Sequence, residues 1–181
     1  MLIFLDTEFT DLGPESELLS IGLISEDGLH EFYAERNDFN PSDCSGFVLA
    51  AVVPLFGQRP DAVCTLDTLN HRLRRFVESL PVTMSVACDY FLDWDFFLHA
   101  VTLGGELDLP HTVYPRRLNL TDWTSAPGFQ EAAEEYFRQG NPRHHALHDA
   151  RAHRKGYLAA KDGALVKALG LLKPINPVES E

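Results

Sequence analysis

The chain has 181 residues, of which 45% are hydrophobic and 23% charged, a composition typical of one soluble globular domain with a sizeable core. No apolar run reaches the roughly 18 to 20 residues that a membrane helix needs, and the apolar start at residues 1–5 is too short for a signal peptide. We therefore expect a cytoplasmic protein with one domain at residues 1–175 and a flexible C-terminal tail at 176–181.

The chain is acidic, with 15 Lys and Arg against 27 Asp and Glu and a net charge of −12. Tight, non-specific binding of long nucleic-acid duplexes depends on neutralising many phosphates with Lys and Arg, so this charge argues against such a role. A carboxylate cluster that holds divalent cations would reverse the sign of the local field, however. The charge therefore leaves open an enzyme that acts on short or single-stranded ends.

The first third of the chain predicts three antiparallel strands. Residues 1–8 form a short apolar run that ends in polar residues, and further apolar runs follow at 18–24 and 29–34. The sequence Glu-Asp-Gly at 26–28 separates the last two runs and is a turn signal, so these two strands are predicted to form a hairpin.

The middle of the chain changes from an irregular segment to alternating helix and strand. Residues 37–64 are rich in Asn, Pro, Asp and Gly, with a short helix predicted at 47–56 and broken by Pro54. Apolar residues at helical spacing predict an amphipathic helix at 66–80. The apolar run at 82–88 is predicted to be a buried strand.

The second half predicts helices around one further strand. A core helix is predicted at 94–103, ending at Gly104-Gly105, and a last strand at 117–120. Three more helices are predicted at 129–138, 145–161 and 164–172. This order of elements predicts an α/β domain in which a mixed central sheet carries helices on both faces.

Two carboxylates lie at the end of the first predicted strand. Asp6 and Glu8 are two residues apart, so their side chains point to the same face of a strand. Two buried like charges repel each other and are costly to desolvate unless a cation binds between them. Oxygen ligands of this kind suit Mg²⁺ or Mn²⁺. The alternative is a pair of solvated residues at a strand end.

A second acidic segment follows the predicted strand at 82–88 and opens the next helix. Its aspartates are Asp89, Asp93 and Asp95. Acidic residues are favoured at helix N-termini, so a simple helix cap is one interpretation. The other interpretation is that one of these carboxylates completes a metal site with the first carboxylate pair.

A third segment combines histidines with an aspartate. His144 is predicted to lie in a loop, just before a helix that carries Asp149 on the same face as Ala146 and Ala150. The small alanines let this helix approach the sheet closely, so Asp149 is able to reach a metal on the first strand. An imidazole titrates near neutrality, which suits His144 to take a proton from water. The alternative is an exposed polar loop.

The order and spacing of these segments resemble the DEDDh family of 3′→5′ exonucleases, which includes RNase T, oligoribonuclease and polymerase proofreading domains. The first family motif, an apolar run followed by D-x-E, is matched by Asp6 and Glu8. The last motif, H-x-A-L-x-D-A, is matched by residues 144–150, and the run ELLSIGLI at 17–24 resembles the family's second strand. The resemblance spans about residues 1–160.

The middle motif departs from the family pattern, which is N-x-x-F-D followed by an apolar helix. Residues 89–93 are D-Y-F-L-D, so Asp89 replaces the Asn and Asp93 is the ligand that the resemblance carries over. Asp89 and Asp95 remain alternatives for that ligand. The turn after the first motif also differs, because many members have Thr-Gly where this chain has Thr-Asp-Leu-Gly at 10–13.

The resemblance implies an RNase H-like fold and two divalent cations, Mg²⁺ with Mn²⁺ as an alternative. It implies that Asp6 bridges both cations, that Glu8 and Asp149 hold the one that activates water, and that Asp93 acts mostly on the other. His144 would be the general base. The implied reaction is in-line hydrolysis that releases nucleoside 5′-monophosphates from single-stranded RNA or DNA 3′ ends, or from short oligonucleotides, with RNA slightly favoured.

Contacts to the substrate are expected next to the first motif. Phe9 and Thr10 would line the pocket of the terminal nucleotide, where Phe9 could stack on a base for about 1 to 3 kcal/mol. Core packing is the alternative for Phe9. Arg116 and Arg117 could contact phosphate, although solvation is the simpler interpretation. Relatives of this size are often homodimers, and no membrane partner is expected.

Two other interpretations compete with an exonuclease. His144 and His148 are four residues apart, a spacing that could bind Zn²⁺ as in HD-type phosphohydrolases, but those enzymes are all-helical and this chain begins with strands. The other is a catalytically silent nucleic-acid-binding module of the same fold. Convergence of the ligand and base side chains on one point would favour the enzyme.

Overall fold

The computed structural model of the chain describes residues 1–103 and 108–170. Within these residues six strands form one sheet: β1 Leu2–Phe9, β2 Leu18–Ser25, β3 Glu31–Arg36, β4 Val63–Cys64, β5 Ser85–Cys88 and β6 Leu118–Asn119. The sheet order is β4-β3-β2-β1-β5-β6. The helices are α1 Gly46–Ala51, α2 Leu66–Glu78, α3 Phe91–Val101, α4 Thr121–Thr124, α5 Phe129–Arg138 and α6 Ala146–Gly170.

The first three strands form the predicted antiparallel arrangement, with β1 beside β2 and β2 beside β3. The turn between β2 and β3 is closed by Asp27, whose carboxylate accepts hydrogen bonds from the Ser25 hydroxyl and from Leu29 N. Gly28 adopts a φ of 79°, which glycine reaches without steric cost. Leu29 therefore belongs to the turn, and β3 begins two residues later than predicted.

The other half of the sheet is parallel. β5 pairs with β1 and β6 pairs with β5 in parallel, so the carboxyl ends of β1 and β5 lie at the same edge. β4 also pairs in parallel, with β3, although residues 37–64 were predicted to be irregular. A strand of two residues is too short to show a periodicity of two in the sequence, so only its pairing reveals it.

Alternating side chains of β1 pack against helices on both faces of the sheet. Ile3 and Leu5 point to one face and belong to a buried cluster with Leu73 of α2 and Phe97 of α3. Phe4 points to the other face and packs with Ala150 of α6. The predicted mixed sheet with helices on both faces is therefore present.

Helix α6 lies in direct contact with the sheet because β2 contains a glycine. A Cβ atom added at Gly22 would lie 2.3 Å from Leu147 N, a distance that no real side chain tolerates. Ala146 and Ala150 are also fully buried on this side. These small residues bring the first turn of α6 close to the end of β1.

The predicted helix bounds were correct for α5 and wrong for two other predictions. Helix α5 has the predicted bounds, and the helix predicted at 47–56 ends at Ala51, before a separate turn of 3-10 helix that contains Pro54. The two helices predicted at 145–161 and 164–172 are instead one, α6, through residue 170. A glycine inside a helix costs only about 1 kcal/mol, so Gly163 does not break it.

Other helix predictions were partly correct. Helix α3 begins at Phe91, three residues before its predicted start, and α4 is a single unpredicted turn. Three predictions lie outside the described residues: the helix stop at Gly104-Gly105, residues 171–172 of the predicted last helix, and the tail at 176–181. Among the residues that are described, no helix has the length and apolar character needed to span a membrane.

Candidate metal and active site

The end of β1 sends polar side chains to both faces of the sheet. Asp6 and Glu8 share the face of Phe4, which packs against α6. Thr7 lies between them and points to the opposite face, where its hydroxyl donates a hydrogen bond of 2.7 Å to Asp93 Oδ1 in the first turn of α3. Because side chains alternate along β1, its end faces α6 with Asp6 and Glu8 and contacts Asp93 of α3 through Thr7.

The first turn of α6 places Asp149 beside Glu8. The Asp149 carboxylate accepts a hydrogen bond of 3.2 Å from His145 N, and the helix N-terminus favours its negative charge. Ligand atoms of Glu8, His144 and Asp149 all lie within 4.8 Å of one another. A residue of β1 and two residues near the start of α6, far apart from it in sequence, thus form one group that is able to hold a metal ion.

His144 reaches this group through an uncommon backbone conformation. Its φ is 59°, in the left-handed region that residues other than glycine rarely adopt. Its ring is exposed and lies edge-on to the Phe47 ring, with 4.9 Å between ring centroids. Backbone strain of this kind is found at functional sites, where the surrounding structure maintains it.

The three aspartates of the middle segment have different positions. Asp93 is only 2% exposed and is hydrogen-bonded to Thr7. Asp89 lies between β5 and α3 and faces the same cavity as Asp6, whereas Asp95 is exposed on α3. The interpretation of an N-cap aspartate is wrong, because the N-cap of α3 is Tyr90, although Asp93 does lie in the first turn of the helix.

A cavity of about 540 Å³ lies over these carboxylates. The cavity is lined by all five side chains that were predicted to be metal ligands or the general base: Asp6, Glu8, Asp93, His144 and Asp149. Phe9 lines it as well, but Thr10 is buried and its hydroxyl accepts a hydrogen bond from Glu17 N in a separate surface hollow. The structure therefore brings the predicted site together, except for the Thr10 side chain.

Negative charge accumulates in this cavity without enough compensation from the protein. Burial, followed by repulsion from neighbouring carboxylates, raises the pKa of Asp6 well above its usual range and that of Glu8 to about 8. Burial also raises the pKa of Asp93 and of Asp149 to about 7 each, although hydrogen bonds to each carboxylate act in the opposite direction. A donor set of crowded carboxylate oxygens fits hard divalent cations, which would relieve this repulsion.

One residue at the site was missed by the sequence argument. His153 lies on α6 one helical turn after Asp149, and its Nε2 is 3.5 Å from Asp89 Oδ2. Ligand atoms of Asp6, Asp89 and His153 also lie within 4.8 Å of one another. Burial lowers the pKa of His153. The spacing of four residues from Asp149 was the signal in the sequence that could have identified it.

The remaining candidates lie elsewhere. His148 Nδ1 is 2.7 Å from the Tyr136 hydroxyl, away from His144, so the pair proposed for Zn²⁺ does not converge. Arg117 donates to the Cys88 carbonyl oxygen at 3.2 Å, and together with Arg116 it lines a different cavity. Neither arginine faces the carboxylate site.

Comparison with known proteins agrees with these observations, although no family model matches the sequence. Two curated proteins named 3′-5′ exoribonuclease, from two strains of Mycobacterium tuberculosis, are each 43% identical to the chain over 54 residues. The matched segment covers 30% of this chain and 32% of each relative, so the chain spans about a third of the length of these relatives.

Solved structures define the class of fold. A 3′-exonuclease described for 3′-end specific recognition of histone mRNA stem-loop has a TM-score of 0.60 at 16% identity, over 90% of this chain and 64% of its own. A full-length 3′-exonuclease has a TM-score of 0.55 at 17% identity, over 90% of this chain and 82% of its own. The predicted RNase H-like α/β fold, which these exonucleases share, is confirmed.

Proposed function

We propose that the chain is a metal-dependent 3′→5′ exonuclease that acts on single-stranded nucleic acid or short oligonucleotides, with RNA favoured over DNA. The observation that carries this proposal is the convergence of four carboxylates and one imidazole, from β1, α3, α6 and the loop before α6, on a single cavity. The name of the curated relatives supports the same activity and the preference for RNA. The shared fold with 3′-exonucleases supports it too.

The carboxylates divide into two groups around Asp6. Glu8 and Asp149, which offer ligand atoms close together, would hold one divalent cation with Asp6, and Asp93 would act mostly on the second cation. Bound Mg²⁺ or Mn²⁺ supplies positive charge that stabilises the attacking and leaving oxygens of an in-line displacement. The protein's part is to hold the carboxylate oxygens that ligate the cations in fixed positions. The end of β1 and the first turn of α3 do so.

His144 is the general base. Its ring lies within reach of the Glu8 and Asp149 carboxylates, where an attacking water would have to be placed. Its exposure lets it pass the proton on to solvent after each reaction. The Phe47 ring lies against the imidazole and limits its rotation.

Aromatic side chains beside the carboxylates form the pocket of the terminal nucleotide. The Phe9 and Tyr90 rings are stacked at 6.3 Å between centroids, and Tyr90 and Phe47 are both exposed in the cavity lining. Bases stack on such rings for roughly 1 to 3 kcal/mol each, largely independently of their identity. A base would lie against these rings while its phosphate faces the carboxylates, and hydrolysis releases a nucleoside 5′-monophosphate.

The test is a nuclease assay on 5′-labelled single-stranded RNA and DNA, including oligonucleotides of two to five residues, with Mg²⁺, Mn²⁺ or EDTA. We expect metal-dependent shortening from the 3′ end, faster on RNA, and its loss in Asp149→Asn. His71→Gln, an exposed substitution on α2, is the matched control and should retain full activity. Folded protein that shortens neither polymer with either metal would overturn the proposal.

Three further properties stay predictions: the cytoplasmic location, the homodimer, and the division into a domain at 1–175 and a flexible tail at 176–181. Size-exclusion chromatography with light scattering would determine the oligomeric state. Limited proteolysis with mass spectrometry would determine where the folded domain ends.

A further inference from the structure

A second group of metal-ligating side chains lies beside the one assigned above. Asp6 on β1, Asp89 after β5 and His153 on α6 offer ligand atoms within 4.8 Å of one another. The group differs from Glu8, His144 and Asp149 in all three members, yet both groups face the same carboxylate site. Three separate elements therefore place an imidazole next to Asp6, a carboxylate that has four other carboxylates near it.

The contacts of His153 do not form a good ion pair. Its Nε2 is 3.5 Å from Asp89 Oδ2, longer than the roughly 2.7 to 2.9 Å of a charge-assisted hydrogen bond. Its Nδ1 is buried and has no hydrogen-bond partner among the residues that the structure describes. The separation of 3.5 Å leaves Nε2, the nitrogen that faces Asp89, without a short hydrogen bond and therefore able to bind a cation. A cation at Nε2 would not pair Nδ1, which points away from Nε2 on the ring.

The spacing suits ligands of one cation. Two ligand atoms that are each about 2.1 Å from a metal ion are roughly 3 Å apart at a right angle, and farther apart at wider angles. The separation of 3.5 Å between His153 and Asp89 falls in that range. Asp89 also adds a negative charge beside Asp6, which increases the demand for a cation.

We propose that Asp6, Asp89 and His153 together ligate the second divalent cation of the site, and that the imidazole nitrogen makes this position selective for a transition metal over Mg²⁺. Imidazole is a ligand of transition metals, whereas Mg²⁺ prefers carboxylate, carbonyl and water oxygens. The inference rests on the proposed function, because Asp6 serves both cations. Asp93, whose carboxylate accepts a hydrogen bond from Thr7 on the opposite face of β1, would then act on this cation without ligating it directly.

The first measurement is calorimetric titration of the full chain with Mn²⁺ and, separately, with Mg²⁺. We expect two bound Mn²⁺ per chain in the wild type. His153→Gln should weaken the second Mn²⁺ by about tenfold or more, the scale of losing a group that supports a metal, and should change Mg²⁺ binding much less. Asp89→Asn, which keeps the size of the side chain, should weaken both metals, and the surface variant His71→Gln should weaken neither.

The second measurement detects the nitrogen ligand directly. Because His144 also lies close to a carboxylate group, pulsed EPR of bound Mn²⁺ is recorded in the His144→Gln protein. Coupling to ¹⁴N should be present there and absent from the protein that carries both His144→Gln and His153→Gln. Thermal unfolding of each variant verifies that it is folded, and Asp89→Asn provides the test if His153→Gln does not fold.

The outcomes separate this inference from the proposed function. Two Mn²⁺ bound with unchanged affinity in His153→Gln, and no ¹⁴N coupling in His144→Gln, would overturn the inference and make His153 and Asp89 an ion pair only. In that case the exonuclease proposal would stand. A wild-type chain that binds no Mn²⁺ would overturn both.

Discussion

The polar side chains on the two faces of β1 have different surroundings. On the face toward α3, Asp93 is almost completely buried and the Thr7 hydroxyl donates a hydrogen bond to it. On the face toward α6, burial and mutual repulsion raise the pKa of both Asp6 and Glu8. The Thr7 hydrogen bond thus offsets part of the cost of burying Asp93, although burial still raises the pKa of that carboxyl to about 7. On the other face neighbouring carboxylates add to the cost of burial, and a bound cation would compensate that charge.

This difference separates a carboxyl that a hydrogen bond partly stabilises from carboxyls that chiefly repel one another. A buried group with good partners contributes to folding, whereas buried like charges destabilise the fold and are retained where they serve a site. Substitutions on the two faces should therefore have opposite effects on stability. The predictions below test that contrast, beginning with the largest expected effect.

Replacing Asp6 with Asn should separate activity from stability most strongly. Nuclease activity should fall by about 10³-fold, since the loss of one pre-organised electrostatic group commonly costs 10² to 10³-fold and Asp6 serves both cations. Without metal, the melting temperature should rise, because repulsion among the carboxylates decreases. A steady-state assay and thermal unfolding in EDTA measure both effects, and activity within tenfold of wild type would contradict the assignment.

Replacing His144 with Gln should affect the reaction without affecting the fold. A general base typically contributes about 10² to 10⁴-fold, so kcat should fall by at least about 10²-fold. KM should change little, because the ring is exposed and makes no hydrogen bond among the described residues. If kcat stays unchanged while KM rises, His144 would be a substrate contact instead of the base.

Replacing Thr7 with Val tests the face toward α3. The substitution keeps the shape of the side chain but removes the hydroxyl that donates to Asp93. Leaving a buried acceptor unsatisfied costs about 1 to 3 kcal/mol, more when the acceptor is charged, so the free energy of unfolding should fall by that amount in urea titrations. A Thr7→Val protein as stable as wild type would show that this face also depends on a cation.

The smallest effect concerns pH in the absence of metal. The folded-state pKa values of Glu8, about 8, and Asp149, about 7, lie above those of unfolded Glu and Asp, near 4. Between about pH 4 and 8 the folded state therefore binds more protons than the unfolded state, and stability falls as pH rises.

In EDTA the melting temperature should consequently be lower at pH 8 than at pH 5, by at least about 3 °C, the change that roughly 1 kcal/mol produces in a chain of this size. Mg²⁺ should restore stability at pH 8 but not at pH 5. Glu8→Gln is the matched control and should show a shallower decline. Equal melting temperatures at both pH values in wild type would mean that the carboxylates are solvated.

The sequence by itself determined most of the local structure and the candidates for the site. Turn chemistry at 26–28 predicted the hairpin, and helical periodicity predicted α2 with its observed start at Leu66. Side chains alternate between the two faces of a strand, which predicted that Asp6 and Glu8 lie on one face. These signals succeed because each depends on neighbours within a few residues, where backbone geometry alone decides which side chains share a face.

Only the tertiary structure decided which candidates share the site. Asp93 and Asp95 are close in sequence, but the packing of α3 against β1 buries one beside Thr7 and leaves the other in solvent. His153 reaches Asp89 because Gly22 lets α6 lie directly on β2. Contacts between distant segments depend on how whole elements pack, and periodicity along one segment carries no information about that packing.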